Sequence, residues 1–131
     1  EQLGGKSAPA AGFAMGIERL LALIEAGGRP IATPVPAAYI VHAGEAAQAF
    51  AWQVAGALRA ANLATVLHCG GGSFKSQMKK ADASRARFAV IIGDDEAAAG
   101  QVSLKPLRDT TEQTRVDVAL AIQYLKQAST Y

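Results

Sequence analysis

Ala38-Tyr39-Ile40-Val41-His42-Ala43, Ala64-Thr65-Val66-Leu67-His68-Cys69 and Phe88-Ala89-Val90-Ile91-Ile92-Gly93 are three short apolar runs rich in β-branched residues. Each reads as a buried strand, and what separates them decides the fold. Residues 45–61 are alanine-rich, with Phe50, Val54 and Leu58 spaced by four, which predicts a helix. After the second run Gly70-Gly71-Gly72 breaks the chain, and Ser73 is placed to cap a helix running to about Ser84. Asp94-Asp95 bounds the third run. Residues 102–107 alternate weakly and suit an edge strand with Pro106 near its end. A further short strand around residues 111–114 has weak support. Residues 116–126 close the chain as a helix with Val116, Leu120 and Tyr124 on one stripe. Strand, helix, strand, helix, strand implies parallel pairing with right-handed crossovers, so an open α/β sheet is expected.

The bulk numbers set limits. A chain of 131 residues has room for one ordinary domain and a short extra segment. Half of it is hydrophobic and 18% is charged, which is enough apolar material for a core. A net charge of +2 gives no global positive field, so any nucleic-acid surface must be local. The single cysteine, Cys69, excludes an intramolecular disulfide framework. No apolar run approaches the roughly 20 residues that span a bilayer. The first residues show neither a basic-then-apolar signal sequence nor an initiator methionine, which suits a fragment beginning mid-protein.

Ahead of the strands stands Gly12-Phe13-Ala14-Met15-Gly16-Ile17-Glu18-Arg19-Leu20. Ile17, Leu20, Leu21 and Ile24 repeat at the spacing of an amphipathic helix, which Gly27-Gly28 and Pro30 bring to an end. On these residues alone, Arg19 reads as a solvated residue on a core helix. Pro30, Pro34 and Pro36 then make a stiff extended linker over residues 29–37. A domain boundary is expected there, separating residues 1–28 from a second domain over residues 38–131.

The stretch from Gly70 to Asp82 holds the chemistry of the second domain. Glycines let a backbone approach a partner closely, and the helix start behind them offers amide donors to an anion. Lys75 and Lys79 lie one turn apart, with Lys80, Arg85 and Arg87 behind and only Asp82 opposing them. Read alone, this is a tight turn leading into a solvated lysine face. It is not a Walker-type loop, because Gly-Lys-Ser/Thr does not occur at the needed spacing. Phe74, Met78 and Ala81 form a stripe, so Phe74 reads first as core and second as a base-stacking platform. The carboxyl rim of the strands would also present His42 to Glu45, His68 to Gly71, and Gly93 to Glu96. Glu45 there reads first as a partner for its own helix dipole. His42, His68, Cys69 and the acidic cluster at residues 94–96 come singly, without the ligand spacing of a structural zinc site, so no metal site is expected. Cys69 with His68 is not a nucleophile pair, since adjacent strand residues face opposite ways.

Two of these stretches together resemble one family. Residues 12–20 are similar to the third signature motif of class II aminoacyl-tRNA synthetases. Gln2-Leu3-Gly4-Gly5 and Gly70-Gly71-Gly72-Ser73-Phe74-Lys75 resemble the histidyl-tRNA synthetases within that class. The resemblance continues to about Leu125. It implies a C-terminal fragment: a remnant helix of the catalytic domain, then an anticodon-binding domain with a mixed, mostly parallel five-stranded sheet flanked by three helices. It implies that Arg19 contacts the ATP phosphates in the parent enzyme, with Gly12 and Gly16 admitting the substrate. It also implies that Gly71, Gly72, Ser73, Lys75, Gln77 and Lys79, with Glu45 and Phe74 behind them, contact the histidine tRNA. Lys105, Arg108 and Gln113 fall in a segment resembling the family's final strands and take no assigned role. The parent would use ATP and Mg2+ to charge its tRNA as a cytoplasmic homodimer, while the fragment alone would need no cofactor. Proline, threonine and glycine synthetases share the second domain, but the stretches just quoted favour histidine. The other readings are a non-catalytic paralogue regulating histidine biosynthesis, and a free-standing nucleotide-binding module. An intact glycine and arginine set at residues 12–19 speaks for the enzyme, and the missing phosphate loop speaks against the module.

Overall fold

A computed structural model describes residues 4–28 and 34–129. Gln2, Leu3, Pro30 and residues 29–33 of the expected linker lie outside those residues. The chain divides into two compact units, Glu1–Thr33 and Pro34–Tyr131. In the first, α1 (Ile17–Ala26) follows the Gly-Phe-Ala-Met-Gly segment and ends at Gly27. None of its residues is buried, and Ile17, Leu20, Leu21, Leu23 and Ile24 all stand exposed.

The second unit is a five-stranded mixed sheet in the order β2-β1-β3-β4-β5. Its elements are β1 (Ala38–His42), α2 (Glu45–Ala60), β2 (Thr65–Leu67), α3 (Phe74–Ala83), β3 (Phe88–Ile92), α4 (Asp94–Ala99), β4 (Gln101–Pro106), β5 (Thr114–Asp117) and α5 (Val118–Ser129). β1 pairs in parallel with β2 and β3, whereas β3–β4 and β4–β5 are antiparallel. Parallel and antiparallel pairings are therefore equal in number, so the sheet is mixed rather than mostly parallel.

Side-chain alternation along β1 sorts the core into two faces. Ala38 and Ile40 join Val90 and Ile92 under α2 and α5, whose Ala47, Ala51, Val54, Leu58, Ala121 and Leu125 fill one layer. Tyr39 and Val41 point the other way, onto Ala81 of α3 and Ala86, with Met78 and Ile91 packed alongside. The crossovers β1-α2-β2 and β2-α3-β3 run in opposite directions along the sheet. Connections of one hand therefore place their helices on opposite faces.

Three expectations are corrected. β4 is interior, between β3 and β5, so it is not an edge strand. Pro106 is tolerated because it is the last residue of the strand. Val116 belongs to β5 and is buried there, so the closing helix begins only at Val118. Its core face is then Ala121 and Leu125, while Leu120 and Tyr124 are exposed. Finally, α4 adds a helix beyond the expected three. Its N–H-rich first turn carries Asp94, Asp95 and Glu96, and Gly100 ends it in the left-handed region at φ 64°. Glu96 accepts from the Gly93 N–H and from the Ser103 hydroxyl, both at 3.0 Å, tying this helix to β4.

Candidate nucleic-acid interface

At the carboxyl ends of β1 and β2 the chain departs in opposite directions, toward α2 and toward α3. That divergence opens a cleft of about 610 Å³. It is lined by the glycine turn, by Gln48 and Trp52 of α2, and by His42, His68 and Gln77. Gly70 and Gly72 take φ of 100° and 125°, conformations that side-chain-bearing residues rarely adopt. The turn therefore presents bare backbone. The amides of Gly70, Gly71 and Gly72 have no hydrogen-bond partner among the described residues.

Ser73 then starts α3, its hydroxyl accepting from the Ser76 N–H at 3.3 Å. Lys75, Lys79 and Lys80 are exposed along this helix. Asp82, the only acid of the stretch, is held by Arg108, whose guanidinium lies 2.7 Å from its carboxylate and also donates to the Asp82 and Ala86 carbonyls. The pairing offsets the one negative charge that would dilute the lysines. Arg87 is directed elsewhere, donating to the Ala128 carbonyl.

Gln77 sits differently from a base reader. It is buried, and its amide bridges the end of β1 and the glycine turn. Its Oε1 accepts from the His42 N–H at 3.0 Å. Its Nε2 donates to the His42 carbonyl at 2.8 Å and to the Gly72 carbonyl at 3.4 Å. The resemblance implies a tRNA contact at Gln77, but here both of its donors are spent on backbone, so this side chain shapes the cleft. Phe74 is also not core. It stands exposed at the head of α3, outside both apolar clusters. Glu45 is exposed in the first turn of α2, where its charge complements the helix dipole. It follows Gly44, which has φ 111° and is approached so closely by the Asp94 carboxylate that a Cβ would collide with it.

Beneath the cleft the histidines form a fixed base. His42 donates from Nε2 to the His68 carbonyl at 3.2 Å, and Tyr39 Oη lies 3.0 Å from His68 Nδ1. Burial, and then the nearby Cys69, push the Tyr39 phenol above its ordinary value, so it stays protonated and available to this bond. His68 Nε2 is buried and has no partner among the described residues. No group of three or more His, Cys, Asp or Glu able to hold a metal occurs among those residues. No helix among them is long and apolar enough to cross a membrane. In the first unit, Arg19 lies exposed in the first turn of α1. A Cβ built at Gly12 meets nothing within 4 Å.

Sequence reading missed Gln48 and Trp52. Both fall off the Phe50, Val54, Leu58 stripe, and a tryptophan on the outward side of an amphipathic helix was the available signal.

Comparison with known proteins bears on the fold and the family. A histidine–tRNA ligase of Thiobacillus denitrificans is 78% identical over 128 residues, which is 98% of this chain and 30% of that protein. The chain thus spans about a third of the length of the curated relatives it matches. The crystal structure of a histidyl-tRNA synthetase from a Nostoc species superposes with a TM-score of 0.65 at 32% identity, over 87% of this chain and 28% of that one. The RNA-binding domain of a threonyl-tRNA synthetase from Cryptosporidium parvum also reaches 0.65, over 69% of this chain and 22% of that one. At 16% identity it shares the fold alone. Residues 37–128 match the family model described as the anticodon binding domain, and the chain belongs to that family.

Proposed function

We propose that this chain is the C-terminal portion of a histidine–tRNA ligase, and that its second unit binds the anticodon stem-loop of the histidine tRNA. The observation that carries the reading is the bare glycine turn running into α3, with Lys75 and Lys79 exposed and Asp82 neutralised by Arg108. Gly71, Gly72 and Ser73 offer backbone close to the RNA, and the lysines hold phosphates. The relatives' name and the family match support the same assignment.

On this reading the whole protein joins histidine to its tRNA at the expense of ATP, with Mg2+, as a cytoplasmic homodimer. ATP supplies the activation of the carboxylate. This chain's contribution is Arg19, whose planar permanent charge suits a phosphate, with Gly12 and Gly16 leaving the backbone open beside it.

The test is a titration of the purified chain with histidine tRNA, and with a version altered in the anticodon loop, across a series of salt concentrations. Saturable binding that weakens with salt and prefers the natural loop is expected. Equal, salt-insensitive binding to both RNAs would overturn the reading.

A further inference from the structure

We infer that Trp52, the only tryptophan of the chain, is the stacking platform for one unpaired base of the bound RNA loop, and that Gln48 reads that base's edge. The inference rests on the anticodon-loop reading above and adds a site to it. Trp52 is 57% exposed, although it lies mid-helix beside a well-packed core face. It is not a scattered surface aromatic, since it lines the same cleft as the glycine turn. Gln48 stands one turn earlier on the same side of α2 and lines the same cleft.

The chemistry of the cleft selects its occupant. No Asp, Glu, Lys or Arg among the described residues lines it. Phosphates are therefore better served outside, by Lys75 and Lys79, and the cleft suits a neutral, planar, polar-edged group. The volume lies within the roughly 300–1,000 Å³ of small-ligand sites, enough for a splayed base with its sugar. The glycine backbone that shares the cleft has no side chain to obstruct a flat ring, and a Cβ at Gly70 or Gly71 would meet nothing within 4 Å. Gln77 and His42 are committed to backbone contacts, so the side chain left to read an edge from α2 is Gln48, with both donor and acceptor. Single-stranded loops are recognised in this way, by an aromatic face and a few edge contacts.

Because Trp52 is unique, its fluorescence reports the site directly. The chain is titrated with the histidine tRNA anticodon stem-loop, and with a fully paired hairpin carrying the same stem. Affinity is measured independently by anisotropy of labelled RNA. The stem-loop should quench Trp52 along the binding curve, and the paired hairpin should not. Trp52→Ala should weaken stem-loop binding about 5- to 150-fold without changing the salt slope, and Trp52→Phe should recover most of the loss. Circular dichroism of each variant should match the parent, because the indole is exposed. Gln48→Ala should reduce the preference for the natural loop sequence more than the overall affinity. If Trp52→Ala binds within twofold of the parent and the stem-loop leaves the fluorescence unchanged, the platform is refuted. The RNA reading would then still stand, provided that Lys75→Glu with Lys79→Glu weakens binding. Absence of any stem-loop binding would overturn both.

Discussion

Gln77→Leu separates a hydrogen-bonding role from a packing role at the base of the cleft. Leucine fills a similar volume but makes neither bond to His42. Stranding a buried backbone donor or acceptor costs about 1–3 kcal/mol, so two such groups set a range of roughly 2–6 kcal/mol. His42 is only half-buried, and water recovers part of the loss. The lower portion, about 2–4 kcal/mol, is therefore expected. With a urea slope of about 1–3 kcal/mol/M this moves the unfolding midpoint down by roughly 0.7–4 M, followed by Trp52 fluorescence and circular dichroism. Gln77→Ala should cost no more than Gln77→Leu, because the smaller side chain admits water to the orphaned groups. Gln77→Glu adds a pH signature. Burial and the facing His42 and Gly72 carbonyls raise the new carboxyl's folded pKa above its unfolded value. Its protonated form can still donate to the His42 carbonyl, so this variant regains stability as pH falls and loses it as pH rises. A Gln77→Leu protein within about 0.5 kcal/mol of the parent would refute the bridging argument. Unaltered stability with lost anticodon discrimination would return Gln77 to base reading.

Replacing Lys75 and Lys79 together by Glu should weaken stem-loop binding at low salt and flatten its salt dependence while the melting curve stays in place, because exposed helix lysines contribute little to folding. An unchanged salt slope would remove α3 from the interface. Glu96 is disfavoured as an ion by burial, but the Gly93 N–H, the Ser103 hydroxyl and the charge of Arg115 outweigh this and hold its carboxyl below the ordinary value. Its contribution is thus present above the unfolded pKa of about 4.3 and is lost as pH falls through the folded one. The stability gap between parent and Glu96→Gln should accordingly narrow in acid, and a gap independent of pH would refute it. Purified alone, the chain should show no histidine-dependent exchange of pyrophosphate into ATP, since Arg19 by itself cannot position a phosphate chain; measurable exchange would contradict this. The exposed apolar residues of α1 should bind a hydrophobic dye, and Leu20→Glu with Ile24→Glu should reduce that signal.

Elements with strong local grammar were readable in the sequence. The apolar runs at β1 and β3, the alanine-rich α2 and the Ser73 cap of α3 each depend on neighbours within a turn or a strand. The rest depended on distant partners. Whether residues 102–107 lie at an edge is decided by where β5 docks, and Val116 was drawn into the strand by pairing with Val102. The six residues of α4 left a legible trace, three acids followed by three alanines and a glycine, but too short a one to show periodicity. At the site, Gln77 carries the identity of a base reader. Only its contact with His42, 35 residues away, shows the amide to be already occupied.

The two open rims of the sheet also bear on how this protein behaves in a crowded solution. β2 offers three residues and β5 four, with Arg115 and Asp117 exposed along the latter. Unpaired strand amides are templates for a neighbouring copy, and short or charged rims are poor ones. The longer strands β1, β3 and β4 are shielded on both sides. Lengthening β2 by replacing Gly70 and Gly72 with β-branched residues would therefore do more than damage the cleft. It would extend the apolar β2 rim and invite strand-to-strand association, so the same glycines that are proposed to present backbone to RNA also keep this rim short.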